Sequence, residues 1–295
     1  MNDQKGSLTA EELADGIESL ALSLEATAVG LTALDRVIRR GWPRSAQHFS
    51  VAMHLIERRE QLLGNAYPLN VRPEGIYRRN DPRGGWYTCL LTMSPRTVFR
   101  DLADDSSVRS IGIQFEQLTA LAVRMFLGGE SVALRFAWPS DSGRPPEFPE
   151  AIMWLAAKMG LQLGHGYRPP RRKDGGVDIV AWRPFADGRP GFPIVLTQCT
   201  VQRSVLDKAA DIDLRSWATW LRMLRDPMTV LAVPFVLSAS TEEWNEVSQR
   251  HIIFDRLRLV ELLASCETET DTYRSLTQAA TDRLSQALRH KCFAP

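Results

Sequence analysis

The residues best suited to chemistry lie in one stretch, DGGVDIVAWRPFADGRPGFPIVLTQCTVQRSVLDK, which runs from Asp174 to Lys208. Asp178 opens an apolar run directly behind Gly175-Gly176, so a carboxylate is presented at the start of a strand beside backbone that a ligand can approach closely. Gln198 lies twenty positions on, at the end of a second β-rich run. Asp187-Gly188 marks a turn between them, and pairing of the two strands would bring both side chains to one end of a sheet. Upstream, Glu116 stands next to Phe115 and just off the apolar stripe of a helix, where its carboxylate can reach the same edge. Arg168, Arg171, Arg172 and Lys173 precede the glycine turn and could neutralise the phosphate backbone of a substrate. Each group also has a plainer reading: Asp178 as a turn or cap residue, Glu116 as a solvated helix position, the basic cluster as a solvated face. Lys208 in turn could serve only a surface pair with Asp207 or Asp211.

The DGGVD strand entry followed by the TQC strand end resembles the PD-(D/E)XK nuclease superfamily, in particular the Mrr-like restriction endonucleases and their relatives in prokaryotic antiphage defence. The resemblance covers roughly residues 113–263 through a helix-strand-strand-strand-helix-strand order. It implies an α/β fold, a restriction-endonuclease-like mixed sheet flanked by helices. It implies further that Asp178 ligates a divalent metal, that Gln198 takes the slot of the second acidic ligand, and that Glu116 matches the supporting helical carboxylate. The reaction implied is hydrolysis of DNA phosphodiester bonds with Mg²⁺ or Mn²⁺, a hard cation that keeps several waters and needs few protein carboxylates. The Gln198 amide oxygen and the Cys199 main-chain carbonyl would complete the oxygen set, and Glu116 would bind a second metal or a metal-bound water.

One position departs from the family pattern. The family lysine follows the Glu or Gln by two residues, on the same face of the strand, whereas this chain has Thr200 there. The nearest lysine is Lys208, ten residues past Gln198 and one of only five in the chain. Ser204 to Asp207 reads as a capping box, which sets Lys208 near the first turn of a helix whose side chains lean back toward the strand end.

Around this span the hydrophobic periodicity lays out the supporting elements. Residues 8–63 read as two or more helices, interrupted at Gly41-Trp42-Pro43, and residues 65–85, rich in Pro, Gly and Arg, read as a long connection. A helix over 113–127, a strand at SVALRFAW and a helix over 145–164 precede the two central strands. RSVLDKAADIDLRSWATWLRML reads as one long helix, in which Trp217 and Trp220 pack rather than stack on bases. MTVLAVPFVL reads as an apolar strand, HIIFDRL as a strand or strand-helix junction, and 275–291 as a closing helix. Residues 1–103 are taken as a mainly helical interaction region and 104–295 as the nuclease-like domain. The polar faces of the first region carry mixed charges, among them Arg36, Arg39, Arg40, Glu57, Arg58, Arg59 and Glu60, which favours association over DNA contact.

Composition sets the outer bounds. With 295 residues and 44% hydrophobic content the chain can bury a real core, and a net charge of +1 excludes a uniformly basic coat. The four cysteines form no CxxC pair, against a structural zinc site and in favour of a reducing cytoplasm. No run is long enough to span a membrane, and the N-terminus does not read as a signal peptide. Three functions compete: a metal-dependent DNA endonuclease, a degenerate nuclease fold that binds DNA or a protein without cutting, and a scaffold docking on an ATPase or sensor subunit or on a second copy of itself.

Overall fold

Thr9 and Glu12 form a capping box, each side chain accepting the other's main-chain N–H, and this starts α1 (Ala10–Ser23). The computed structural model describes residues 8–24, 26–81, 83–97, 105–166, 170 and 174–289. The chain is α/β and separates into two compact units, one of Met1–Arg109, Pro234–Val236 and Arg256–Pro295, the other of Ser110–Val233 and Leu237–Asp255. Among the described residues no helix is long and apolar enough to cross a membrane.

In the first unit α1 is followed by β1 (Ala28–Gly30), α2 (Leu31–Gly41), a 3-10 turn (Pro43–His48) and α3 (Phe49–Leu63). Then come β2 (Leu69–Arg72), β3 (Gly75–Arg78) and α4 (Gly84–Met93). The long connection expected over 65–85 is therefore partly a hairpin: β2 and β3 pair antiparallel, and β1 adds on the other side of β3. Pro68 and Pro73 sit ahead of β2 and in the turn, where the ladder needs no N–H, so they frame the hairpin instead of breaking it. Gly75 is required where β1 crosses close, since a Cβ there would lie 2.4 Å from the Val29 carbonyl oxygen.

The second unit holds most of α5 (Asp105–Leu127), then β4 (Val132–Arg135), α6 (Phe148–Met159), β5 (Ile179–Trp182) and β6 (Ile194–Cys199). It continues through α7 (Leu206–Ala209), α8 (Leu214–Trp220), β7 (Met228–Ala232), α9 (Glu242–Ser248) and β8 (Ile252–Phe254). Its described strands form a five-stranded sheet in the order β4-β5-β6-β7-β8. The first three run antiparallel, and β7 and β8 continue parallel to β6. Val180, Trp182, Ile194 and Leu196 point to one face and bury against Phe148, Ile152 and Leu155 of α6 and Trp217 and Trp220 of α8. On α5, Phe126 packs edge-on against Phe254 of β8, with ring centroids 5.3 Å apart. The single helix expected after β6 is broken in two, because the Asp213 side chain accepts the N–H groups of Arg215 and Ser216 and so begins α8 afresh. The capping box expected at 204–207 does not form: Val205 is the N-cap of α7, without a side-chain bond.

The chain then returns to the first unit with α10 (Arg256–Leu263) and α11 (Asp271–Arg289). This differs from the expected division at 103/104, which left every later residue in one domain. The cause is the apolar stripe of α11 (Tyr273, Leu276, Ala280, Leu284), which must be covered and packs on α4 and α1, with Tyr273 edge-on to Trp86 at 4.7 Å. Beneath it lies a buried charge network. Arg256 donates to both oxygens of Asp15, at 2.9 and 2.7 Å, while Arg59 reaches Asp15 at 2.8 Å and Glu18 at 2.9 Å. The hydroxyls of Tyr67 and Tyr87 donate to Glu18. Arg59, expected on a polar face, is thus an interior residue, 3% exposed.

Two acids against two guanidiniums make this network self-compensating, and removing one partner should strand a buried charge at a cost of about 3–5 kcal/mol. Denaturant unfolding of Arg256→Met is expected to show a loss of that size, and Asp15→Leu added to Arg256→Met to recover part of it. An Arg256→Met protein as stable as wild type would show that the pairing contributes nothing.

Candidate functional site

Asp178 stands one residue ahead of β5 but still belongs to the ladder. Its N–H donates to the Thr197 carbonyl at 2.9 Å, and its own carbonyl accepts the N–H groups of Phe136 at 2.6 Å and Ala137 at 3.0 Å. The register pairs Ile179 with Thr197, so the next pair outward is Asp178 opposite Gln198, and residues opposite one another in antiparallel strands share a face. Strand period and register thereby put the two side chains in contact: Gln198 Nε2 donates to Asp178 Oδ2 at 2.7 Å. The Cys199 N–H donates to the same oxygen, also at 2.7 Å, and Gln198 Nε2 bonds the Cys199 carbonyl at 3.2 Å. Asp178 Oδ1 accepts no hydrogen bond among the described residues, although the residue is only 7% exposed.

Such a carboxylate is costly to ionise. Burial pushes the Asp178 carboxyl well above the usual range, and repulsion from Glu116 and Asp174 adds to it, while the Cys199 N–H and the Lys208 ammonium pull the other way. Glu116, on α5, is likewise raised by burial, partly offset by Arg135, whose Nε donates to its Oε2. Arg135 also reaches the Pro139 carbonyl at 2.7 Å and Asp141 at 3.3 Å. Glu116 and Asp174 therefore both repel the Asp178 carboxylate at the end of the sheet, and Lys208 is a cation that attracts it.

Lys208 is the third residue of α7, its side chain 18% exposed and its Nζ 3.4 Å from Asp211 Oδ2. The glycine pair explains its placement. Gly176 has φ +77°, and a Cβ on it would lie 2.0 Å from the Asp211 carbonyl oxygen. Gly175 has φ +65°, and its carbonyl accepts the Trp217 Nε1–H at 3.1 Å. The backbone freedom expected to admit a ligand thus admits the chain itself: the turn that presents Asp178 is pressed against the segment that carries Lys208. Thr200 is buried, its Oγ1 accepting the Gln202 N–H at 3.1 Å, so it finishes a turn and offers no charge. The basic cluster Arg168, Arg171, Arg172 and Lys173 lies outside the described residues.

Sequence reasoning missed Arg135, Asp141, Asp174 and Arg144. Arg135 had a signal, since it takes the polar phase of an otherwise apolar strand, level with Ile179. Asp174 had one too, as the residue that begins the glycine turn and accepts the Gly176 N–H at 2.8 Å. Arg144 sits in a loop and had none. Its guanidinium lies 4.5 Å from the Phe136 ring centroid, and it feels Asp174.

Among the described residues no group of three or more His, Cys, Asp or Glu is gathered that could hold a metal ion, so a cation here would depend on amide and main-chain oxygens as well as carboxylate. What converges here is oxygen: Asp178 Oδ2 and the Cys199 carbonyl both turn to one point, at present bridged by the Gln198 NH₂. A half-turn of that amide would replace its NH₂ with a third oxygen, and the Asp178 Oδ1 lone pairs remain open.

Because its folded pKa is raised, Asp178 contributes stability only while protonated. That contribution is complete below the unfolded value of about 3.9 and is lost as pH rises through the folded value. Asp178→Asn should therefore melt at a higher temperature than wild type at pH 8 in chelator, with the difference fading toward pH 4. An equal or lower melting temperature at pH 8 would contradict the burial argument.

Compared with protein-family models, with curated proteins and with solved structures, the chain matches none of them, and its function is to be read from the groups gathered around Asp178.

Proposed function

We propose that the second unit is a PD-(D/E)XK-like nuclease domain, with a restriction-endonuclease-like sheet, that hydrolyses DNA phosphodiester bonds with Mg²⁺ or Mn²⁺. In this reading it is a cytoplasmic effector or subunit of a prokaryotic antiphage-defence system. The first unit is its association module, for an ATPase or sensor subunit or for a second copy. The observation that carries the reading is the cross-strand pair Asp178–Gln198, 2.7 Å apart, with Glu116 and Lys208 within electrostatic reach of one buried carboxylate. The order α5-β4-α6-β5-β6-α7/α8-β7 is the helix-strand-strand-strand-helix-strand order of the resemblance with α6 inserted after β4, and it supports the same reading.

Asp178, the Gln198 amide oxygen, the Cys199 carbonyl and Glu116 would hold the cation. When bound, it polarises the scissile phosphate and lowers the pKa of the attacking water. Arg135 fixes the Glu116 carboxylate by its Nε hydrogen bond, so that Glu116 is oriented before any ligand arrives. Lys208 carries a positive charge within electrostatic reach of the Asp178 carboxylate, where it can offset negative charge growing on the phosphate oxygens. A second reading, a degenerate fold that binds DNA or a partner protein without cutting, is favoured by Thr200 standing buried where the motif lysine belongs and by the Lys208–Asp211 pair.

Plasmid incubated with the protein and Mg²⁺ or Mn²⁺ is expected to be nicked or cut, and Asp178→Asn to be inactive while still folded. Cutting by a folded Asp178→Asn protein would sink the assignment, and DNA retention without cutting by wild type would establish the degenerate reading. Lys208→Ala should lower the cleavage rate by on the order of 10²–10³ with little change in DNA affinity, because its charge is assigned to the transition state. A comparable loss of affinity would move Lys208 to substrate binding. Independently of turnover, Mn²⁺ should raise the melting temperature of wild type and not that of Asp178→Asn.

A further inference from the structure

Trp138 is a large aromatic left 41% exposed in the segment that follows β4, and its position is tied to the candidate site by the backbone. The preceding residue, Ala137, donates its N–H to the Asp178 carbonyl at 3.0 Å, so the indole is carried one residue from the ladder that presents the carboxylate. Arg144 supports it. The Arg144 guanidinium is itself buried, 3% exposed, and lies 4.5 Å from the Phe136 centroid and 5.7 Å from that of Trp138. The same guanidinium feels Asp174, one of the carboxylates that act on Asp178, so ring, cation and acid belong to one end of the sheet.

We propose that Trp138 is a base-stacking platform at the lip of the site, and that the substrate is DNA with an unpaired nucleotide at the cut. The proposal rests on the nuclease reading above. An exposed indole offers its face to any base, but a base within a duplex has both faces stacked already, so the partner must be single-stranded or splayed out. The feature also fits the other exposed groups poorly. Phe185 and Leu224 are more exposed, yet among the described residues neither is linked by a hydrogen bond or ring contact to the residues around Asp178. Trp217 and Trp220, by contrast, are buried in the core and unavailable for stacking.

The test is binding of a fluorescein-labelled single-stranded oligonucleotide and of the same sequence as a blunt duplex, with Ca²⁺ in place of Mg²⁺, to the full chain. Three proteins are compared: wild type, Trp138→Leu, which keeps apolar bulk without a π-face, and Trp138→Phe, which keeps a smaller one. Melting temperatures verify that all three are folded. The expected result is tighter binding of the single strand by wild type, about tenfold weaker single-strand binding by Trp138→Leu, substantial recovery in Trp138→Phe, and little change for the duplex. Single-strand binding by Trp138→Leu equal to wild type overturns the stacking role alone and leaves the nuclease reading standing. Equal loss on strand and duplex assigns Trp138 to general contact and likewise overturns it. A wild type that binds neither probe overturns the nuclease reading and this proposal with it.

Discussion

The burial of one carboxylate organises the second unit. An ionised Asp178 at 7% exposure is unfavourable by several kcal/mol unless its surroundings answer it, and they answer from two directions. The neighbouring strand supplies two donors to one oxygen, the Gln198 amide and the Cys199 N–H. The glycine turn lets the segment just after α7 approach, with Lys208 of α7 as the cation, whereas α5 brings a further carboxylate, fixed in place by Arg135, that works against ionisation. The compensation is deliberately incomplete in the electrostatic sense: one oxygen stays open and two acids repel the third. Groups held in this unfavourable way commonly mark the place where a fold gives up stability for function.

That balance accounts for the mixture of signs around the site. Asp178, Glu116, Asp174 and Asp141 stand against Lys208, Arg135 and Arg144, and the Glu116–Arg135–Asp141 group is closed on itself by direct contact. An acid cluster alone would repel a phosphate, and a basic cluster alone would repel a metal ion. Interleaving the two on neighbouring elements leaves room for a cation and an anion to arrive together.

The central strands and their pairing were legible because period two, a turn signal and two short β-rich runs all agreed, and from these the Asp178–Gln198 contact followed. Other features were hidden for identifiable reasons. The β2–β3 hairpin was masked by prolines that lie at its ends, where they are harmless. The break between α7 and α8 depended on whether Asp213 would cap, which periodicity does not report. Asp15 and Glu18 interrupt the apolar stripe of α1 with charge, a sign of burial in a network, but their partners Arg59 and Arg256 are far off in sequence. Gly175 and Gly176 were read as backbone that a ligand can approach closely, whereas what approaches in the fold is main chain and a tryptophan, a distinction composition does not carry.

The Asp15–Arg256 contact joins residues 241 positions apart and encloses the whole of the second unit in the intervening chain. During synthesis at about 5–20 residues per second, Asp15 and Glu18 leave the ribosome roughly 12–48 s before Arg256 exists. For that interval α1 and α3 present two acids to one arginine, and by its end the second unit has been made in full. The nascent chain must therefore complete its interior unit first and close its outer one last, so that the start of the protein waits on its end and is the part most exposed to chaperones and proteases while it waits.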